Sequence, residues 1–136
     1  MKVTLDANIL FSAIIRKGVT RKLLFQPDFE FFAPEFIRAE FNKYAAYLRG
    51  KFTGTDEEFM ELTELLLSAI NFVSDKSLKP YLPAAAVLIK DEKDWLYIAC
   101  ALKEDTILWS NDKGFKSQKR VMVFTASEMA ESFGVL

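Results

Sequence analysis

The sequence predicts an α/β fold, a three-layer α/β/α sandwich around a central, mostly parallel β-sheet. Short apolar segments alternate with longer segments of helical periodicity, which is typical of βαβ units. Two of the apolar segments, 2–7 and 106–109, end abruptly in polar residues, as buried strands do where a sheet meets a ligand. The 136 residues are the size of one domain, and we expect a single domain over 1–136.

Local signals place the individual elements. Pro34 suits the first turn of a helix, Gly50 suits its C-terminal cap, and Pro80 and Pro83 argue against regular structure around them. In chain order, the predicted elements are strand 2–7, helices 8–16 and 19–25, strand 30–33, a helix from Pro34 to about Arg49, a helix from Thr55 or Asp56 to near Ile70, strand 71–74, a polar loop over 74–83, a short helix or turn over 84–89, a helix that follows Asp91 as N-cap, strand 106–109, strand 121–124, and a last helix opened by the capping box Thr125–Glu128.

Composition limits the possible chemistry. The chain has no histidine, which excludes imidazole metal sites and histidine-based catalytic triads. The net charge of −1 gives no general attraction for nucleic acid, although basic residues cluster early and late in the chain. The lone Cys100 and the lack of an export signal or membrane-spanning run predict a cytoplasmic protein.

The helix after Pro34 has an apolar face that an acid interrupts. Its apolar residues recur at helical spacing and are Phe36, Ile37, Phe41, Tyr44, Tyr47 and Leu48. Glu40 lies inside this face. A carboxylate there is costly to bury unless it is paired, protonated or bound to a cation.

Four acids are candidates for a shared site: Asp6, Glu40, Asp94 and Asp112. Each also has a structural explanation, because Asp6 and Asp112 can cap the turns after their strands, Asp94 can complement a helix dipole, and a lysine can neutralise Glu40. Two of these acids follow strands whose carboxyl ends share one edge of a parallel sheet, and the other two lie near helix starts. Carboxylates brought together in this way repel one another unless a cation is present. An oxygen-only cluster suits Mg²⁺ or Mn²⁺, which support phosphodiester hydrolysis without histidine.

Four segments in this order resemble the PIN-domain ribonuclease family, including its VapC-type toxins. They are Leu5–Leu10, Pro34–Phe41, Asp94–Leu102 and Leu108–Phe115, and the match that they mark extends over nearly the whole chain. The resemblance implies a metal-dependent ribonuclease for single-stranded RNA, often a homodimer and often held inactive by an antitoxin protein. The lack of an apolar run long enough to span a bilayer predicts no membrane association.

The resemblance also assigns roles to residues. Asp6, Glu40, Asp94 and Asp112 are expected to be the catalytic metal ligands or to orient the attacking water. Asn8 and Ser110 are expected to be polar support, and Lys113 and Lys116 are candidates for contact with RNA phosphates. Asp91 fits the ligand position less well than Asp94. Gly114 stands where many family members have another acid, which favours one tightly held ion over two.

Two other functions remain open at this point. One is a non-catalytic PIN scaffold that binds RNA or a partner protein, which the near-neutral charge favours. The other is a phosphatase-type or phospho-accepting fold with Asp6 as nucleophile, although Leu5–Asn8 lacks the second acid that such folds expect.

Overall fold

The strands form one parallel sheet. The computed structural model describes residues 1–134, so Val135 and Leu136, which we expect to belong to the same domain, lie outside the described residues. Within 1–134 there are five strands, in the spatial order β3-β2-β1-β4-β5. They are β1 (Lys2–Leu5), β2 (Glu30–Pro34), β3 (Ile70–Val73), β4 (Ile107–Trp109) and β5 (Val123–Phe124). All neighbours pair in parallel, which confirms the predicted sheet.

Helices cover both faces of the sheet. In the described chain they are α1 (Ala7–Ile15), α2 (Val19–Leu24), α3 (Phe36–Lys51), α4 (Asp56–Ser68), α5 (Asp75–Leu78), α6 (Leu82–Leu88), α7 (Trp95–Glu104) and α8 (Ala126–Phe133). One layer contains α1 with α2, α3 and α4, and α2 contacts α8. The other contains α7, which packs on β1 and β2 and contacts α5 and α6. This arrangement confirms the predicted α/β/α sandwich.

The central strand β1 carries the core and positions the site. Val3 and Leu5 are fully buried, as expected for a parallel strand covered on both faces. Leu5 pairs with Trp109 of β4, so the two strands end side by side. The chain winds from β1 to β2 and β3 and then returns to β4 on the other side of β1. Open α/β sheets bind their ligands at such a switch point, beside the carboxyl ends of the strands.

Two predicted helix boundaries are wrong. Pro34 is the last residue of β2, paired with Val73, and α3 begins only at Phe36. Proline is tolerated at this strand end because few ladder bonds remain to be made. Gly50 does not end α3, which continues to Lys51 and is capped where the backbone N–H of Phe52 donates to Leu48 O at 3.0 Å.

The predicted loop over 74–83 is also wrong. It contains α5, a 3₁₀ turn at Lys79–Tyr81 and the start of α6. Pro80 lies in the first turn of the 3₁₀ segment and Pro83 in the first turn of α6, where their missing N–H groups cost nothing. Asp91 caps a 3₁₀ turn at Glu92–Asp94, so α7 begins only at Trp95, and the other boundaries shift by one or two residues. None of the helices within 1–134 combines the length and hydropathy that crossing a membrane requires.

The N-terminal cap of α4 gives a test of the local structure. The Thr55 hydroxyl accepts from Glu58 N at 3.1 Å, and Glu58 Oε1 accepts from Thr55 N at 2.9 Å. We expect Thr55→Ala to lower the free energy of unfolding by about 1 kcal/mol in urea denaturation. Thr53→Ala, at an exposed position before the helix, is the matched control and should change it by less than about 0.5 kcal/mol. Equal losses in the two variants would contradict the role of this cap.

Candidate active site

Asp6 and Ser110 meet at the carboxyl ends of β1 and β4. Asp6 is 6% exposed, and its Oδ1 accepts from Ile9 N at 3.0 Å, so it is the N-cap of α1. Its Oδ2 accepts a short hydrogen bond from Ser110 Oγ. The capping explanation for Asp6 is therefore correct, but it uses only one of the two carboxylate oxygens. The other oxygen, Oδ2, links β1 to β4 through its hydrogen bond with Ser110.

Asp112 is connected to Asp6 through Ser110. The backbone N–H of Asp112 donates to Ser110 Oγ at 3.0 Å, and the Ser110 hydroxyl in turn donates to Asp6. Asp112 Oδ1 accepts from Gly114 N at 2.9 Å and begins a 3₁₀ turn at Lys113–Ser117. The side chain of Asp112 is exposed, so it faces outward above the buried Asp6.

Asp94 lies at the start of α7 with its carboxylate free of a capping role. The neighbouring Asp91 caps the preceding turn by accepting from Lys93 N at 3.1 Å, whereas the Asp94 side chain makes no cap bond. The pKa of Asp94 is raised to about 6, first by burial and then by the negative charges of Asp112, Asp91 and Asp6, which outweigh the opposite effect of Lys93. Asp94 therefore lies within electrostatic reach of the two strand-end acids.

The pKa of Asp6 is also above its ordinary value. The main cause is burial, which disfavours the charged carboxylate, and the charge of Asp112 adds to it. Hydrogen bonds from Ser110 and from the backbone of Ile9 act in the opposite direction, because they stabilise the charged form. The Ser110 hydroxyl thus stabilises the charged form of Asp6, and its role as polar support of a metal site stays a prediction.

Tyr97 is a site residue that the sequence did not predict. It is buried, and its hydroxyl accepts from Ala7 N at 3.2 Å, next to Asp6. Its pKa is raised by burial and then by the charges of Asp6, Glu40 and Asp94, so it is a shared neighbour of three acids. The sequence feature that could have indicated Tyr97 is its position three residues after Asp94, because this spacing places both residues on one face of a helix.

Glu40 faces the same region from α3. It is half-buried, and a depression of about 390 Å³ beside it is also lined by Asp94 and Tyr97. The ion pairs within residues 1–134 are Arg49–Asp56, Lys103–Glu104 and Lys116–Glu128. None of them contains Glu40 or the other three candidate acids, so neutralisation of Glu40 by a lysine is not found in the described chain.

The predicted polar and basic neighbours lie around the acids. Asn8 is exposed and lines a groove together with Glu40. Lys113 is exposed beside Asp112, while Lys116 is held by its ion pair with Glu128. These positions do not by themselves define a phosphate site, and contact of the two lysines with RNA stays a prediction.

The four acids match a hard divalent cation in donor chemistry. All candidate donors are oxygens. Burial is the main cause of the raised pKa values of Asp6 and Asp94, and the negative charges of neighbouring acids, which a cation would offset, add to it. Over residues 1–134, however, no three acidic or cysteine side chains already converge closely enough to hold a metal. The donor set fits Mg²⁺ or Mn²⁺, and the side chains must move closer to bind it.

The parallel sheet and the acids at its switch point define a class of α/β proteins with a carboxylate site at the strand ends. A family model of the PIN domain matches residues 4–128, so the chain belongs to the PIN-domain family. This membership supports a nuclease in general.

One solved structure has the same fold. It is the crystal structure of VapBC2 from Rickettsia felis bound to a DNA fragment from their promoter. The identity is 17% and the TM-score is 0.69, and the match covers 92% of this chain and 98% of that chain. A comparison with curated proteins gave no match.

Replacing Asp94 tests whether burial and the neighbouring acids disfavour its charged form. Its pKa is about 6 in the folded protein against an ordinary 3.8, so the folded state binds the proton more tightly than the unfolded state. The free energy of unfolding must then fall as pH rises from about 4 to about 6, and the loss is complete above that range. Because asparagine carries no charge, we expect Asp94→Asn to be more stable than the wild type at about pH 8 and similar to it at about pH 4.

Urea denaturation in EDTA at both pH values measures this difference. Glu61→Gln, which removes an exposed carboxylate on α4, is the control and should show no comparable gain. A gain at high pH no larger than that of the control would mean that neither burial nor the neighbouring acids disfavour the charged Asp94.

Proposed function

We propose that the protein is a single-domain, metal-dependent endoribonuclease. It hydrolyses phosphodiester bonds of single-stranded RNA. The observation that carries the proposal is the group of acids at the β1–β4 edge. Asp6 and Asp94 both have raised pKa values, and no ion pair of the described chain neutralises either of them. Membership in the PIN family supports the same reaction class.

Asp6, Glu40, Asp94 and Asp112 would hold Mg²⁺ or Mn²⁺. When bound, such a cation supplies a water of lowered pKa and stabilises negative charge on the phosphoryl oxygen. We propose one tightly held ion, because Gly114 adds no carboxylate. A Cβ at this position would lie 3.2 Å from Asp112 Oδ1, so a side chain there would crowd the acid already present.

The residues of the chain have distinct roles in the proposed reaction. Ser110 fixes Asp6 by donating to its Oδ2 and orients the Asp112 backbone by accepting from its N–H. The carboxylate of Asp94 makes no cap bond and is available to hold the attacking water as a hydrogen-bond acceptor. Tyr97 braces the start of α1 through Ala7 N, which keeps Asp6 beside α7.

The proposal also includes partners for the protein. The structural neighbour is a VapBC2 assembly with promoter DNA, and the VapC-like motifs of this chain suggest an antitoxin protein as its partner too. Exposed apolar side chains, namely Met60 and Leu65 on α4 and Val87 on α6, offer surface for that partner or for a homodimer. A cytoplasmic location is part of the proposal, since RNA is found there and Cys100 would stay reduced.

A non-catalytic scaffold is the second candidate. The observation that favours it is that no three acids of residues 1–134 already form a metal site. A nucleophilic Asp6 is disfavoured, because both of its oxygens accept hydrogen bonds and the side chain is almost fully buried.

Cleavage of a circular single-stranded RNA separates these functions. Only an endonuclease linearises a circle, and we expect the wild type to do so with Mn²⁺ and not with EDTA. Asp6→Asn should reduce the rate by about 100-fold or more, because a proposed ligand is lost. Glu61→Gln is the control and should cleave as the wild type does. An intact circle with Mn²⁺ would leave the scaffold as the better description.

Ser110→Ala tests the support of Asp6 separately. Loss of the hydroxyl that orients a ligating carboxylate is expected to reduce cleavage by about 10- to 100-fold. Ser110→Thr keeps a hydroxyl and should recover part of the rate. Full activity of Ser110→Ala, measured in the same assay, would show that Asp6 needs no such support.

A further inference from the structure

A groove between α1 and α3 begins at the acids and leads away from them. We call it the α1–α3 groove; its volume is about 740 Å³, and its lining includes Asn8, Arg16, Glu40, Tyr44, Tyr47 and Lys51. Asn8 and Glu40 form the end next to the acidic site. From Glu40 to Lys51 the helix advances about 16 Å at 1.5 Å per residue, so the groove extends well beyond the acids themselves.

Two aromatic rings lie exposed along this groove. Of the apolar residues of α3 that recur at helical spacing, only Ile37 and Leu48 are fully buried. Tyr44 and Tyr47 are 38% and 61% exposed. They are uncovered because the groove separates this part of α3 from α1, and exposed flat rings on a helix are surfaces on which nucleic-acid bases stack.

The Tyr44 ring is held in place from the opposite wall. Phe11 of α1 packs against it edge-on, with the ring centroids 5.9 Å apart and the planes at 65°. The ring is therefore braced by α1 even though it is partly open to solvent. A braced ring loses little conformational freedom on stacking, which favours binding.

Basic side chains lie close to the two tyrosine rings. Lys51 Nζ lies 5.7 Å from the centroid of Tyr47, and Lys43 Nζ lies 5.4 Å from that of Tyr44. Arg16 lines the groove from the end of α1. None of the three belongs to an ion pair formed within residues 1–134. The groove thus places positive charge and aromatic rings away from the acids and negative charge at them.

We propose that the α1–α3 groove binds the single-stranded RNA that flanks the bond to be cut. Tyr44 and Tyr47 stack with successive bases, and Arg16 and Lys51 bind phosphates. This rests on the proposed ribonuclease function and adds to it the path of the substrate. The combination of rings, cations and continuity with the acidic site is what a nucleic-acid strand requires.

The first test measures RNA binding without cleavage. Fluorescence anisotropy with an unstructured, labelled RNA in EDTA compares the wild type with Tyr44→Ala/Tyr47→Ala. We expect the double variant to bind at least about tenfold more weakly, because two stacking surfaces are removed. Tyr44→Phe/Tyr47→Phe keeps the rings and should bind within about twofold of the wild type. Met122→Ala, at an exposed apolar position outside the groove, should have no effect.

The second test measures the binding of phosphates by the two cations. Arg16→Gln/Lys51→Gln should make the logarithm of the affinity depend less steeply on the logarithm of salt concentration, by about 0.7 for each phosphate that is no longer neutralised. Lys22→Gln/Lys76→Gln, at exposed positions on α2 and α5, is the charge-matched control and should leave the slope unchanged.

The outcomes separate this inference from the function on which it rests. If the wild type cleaves RNA but both groove variants bind it normally, the inference is overturned, the ribonuclease stands, and the groove is left for a protein partner. If the wild type does not cleave RNA but the variants lose RNA binding, the groove is supported and the catalytic proposal fails. A wild type that binds no RNA overturns the inference as well.

Discussion

The parallel pairing of β1 with β4 is the constraint on which the site depends. It places Leu5 beside Trp109, and the backbone N–H of Asp6 then donates to Trp109 O at 3.2 Å. Asp6 and Ser110, more than a hundred residues apart in sequence, consequently come within hydrogen-bond distance. A buried carboxylate is tolerated there because both of its oxygens have donors. A shift of β4 by one residue would turn Ser110 to the other face and leave Asp6 short of a donor.

The acids around this junction lie close enough to repel one another, at a cost to stability. Asp6, Asp94 and Asp112 act on one another electrostatically, and Glu40 joins them through its proximity to Tyr97. Two cations of the chain have partners away from these acids: Lys116 pairs with Glu128, and Lys51 stands beside Tyr47 along the α1–α3 groove. Functional sites commonly retain unfavourable interactions of this kind, which a ligand relieves. The negative charge near the strand ends and the positive charge along the groove suit the two parts of one substrate complex, a cation at the acids and a phosphate chain beyond them.

Much of the fold and part of the site could be predicted from the sequence, for identifiable reasons. The apolar runs that end at Asp6 and at Ser110 predicted two strands. Because the carboxyl ends of parallel strands share one edge of a sheet, the topology alone predicted that the polar residues at these two ends would lie close together. Tyr97 was missed because an aromatic residue in a helix is most often core, and only the folded structure brings its hydroxyl to Ala7. The exposure of Tyr44 and Tyr47 could not be predicted because helical periodicity gives the direction of a side chain and not what covers it. Pro80 was misread because a proline that ends one element equally well begins the next.

The central claim is that the four acids form one cation site, and a calorimetric titration of Mn²⁺ tests it most directly. The wild type should bind about one ion per chain, since Gly114 leaves a single set of ligands. Asp6→Asn should lose most of that binding while remaining folded by circular dichroism, and Glu61→Gln should retain it. Equal binding by the wild type and Asp6→Asn would contradict the account, because the acid at the junction of β1 and β4 would then have no part in holding the metal.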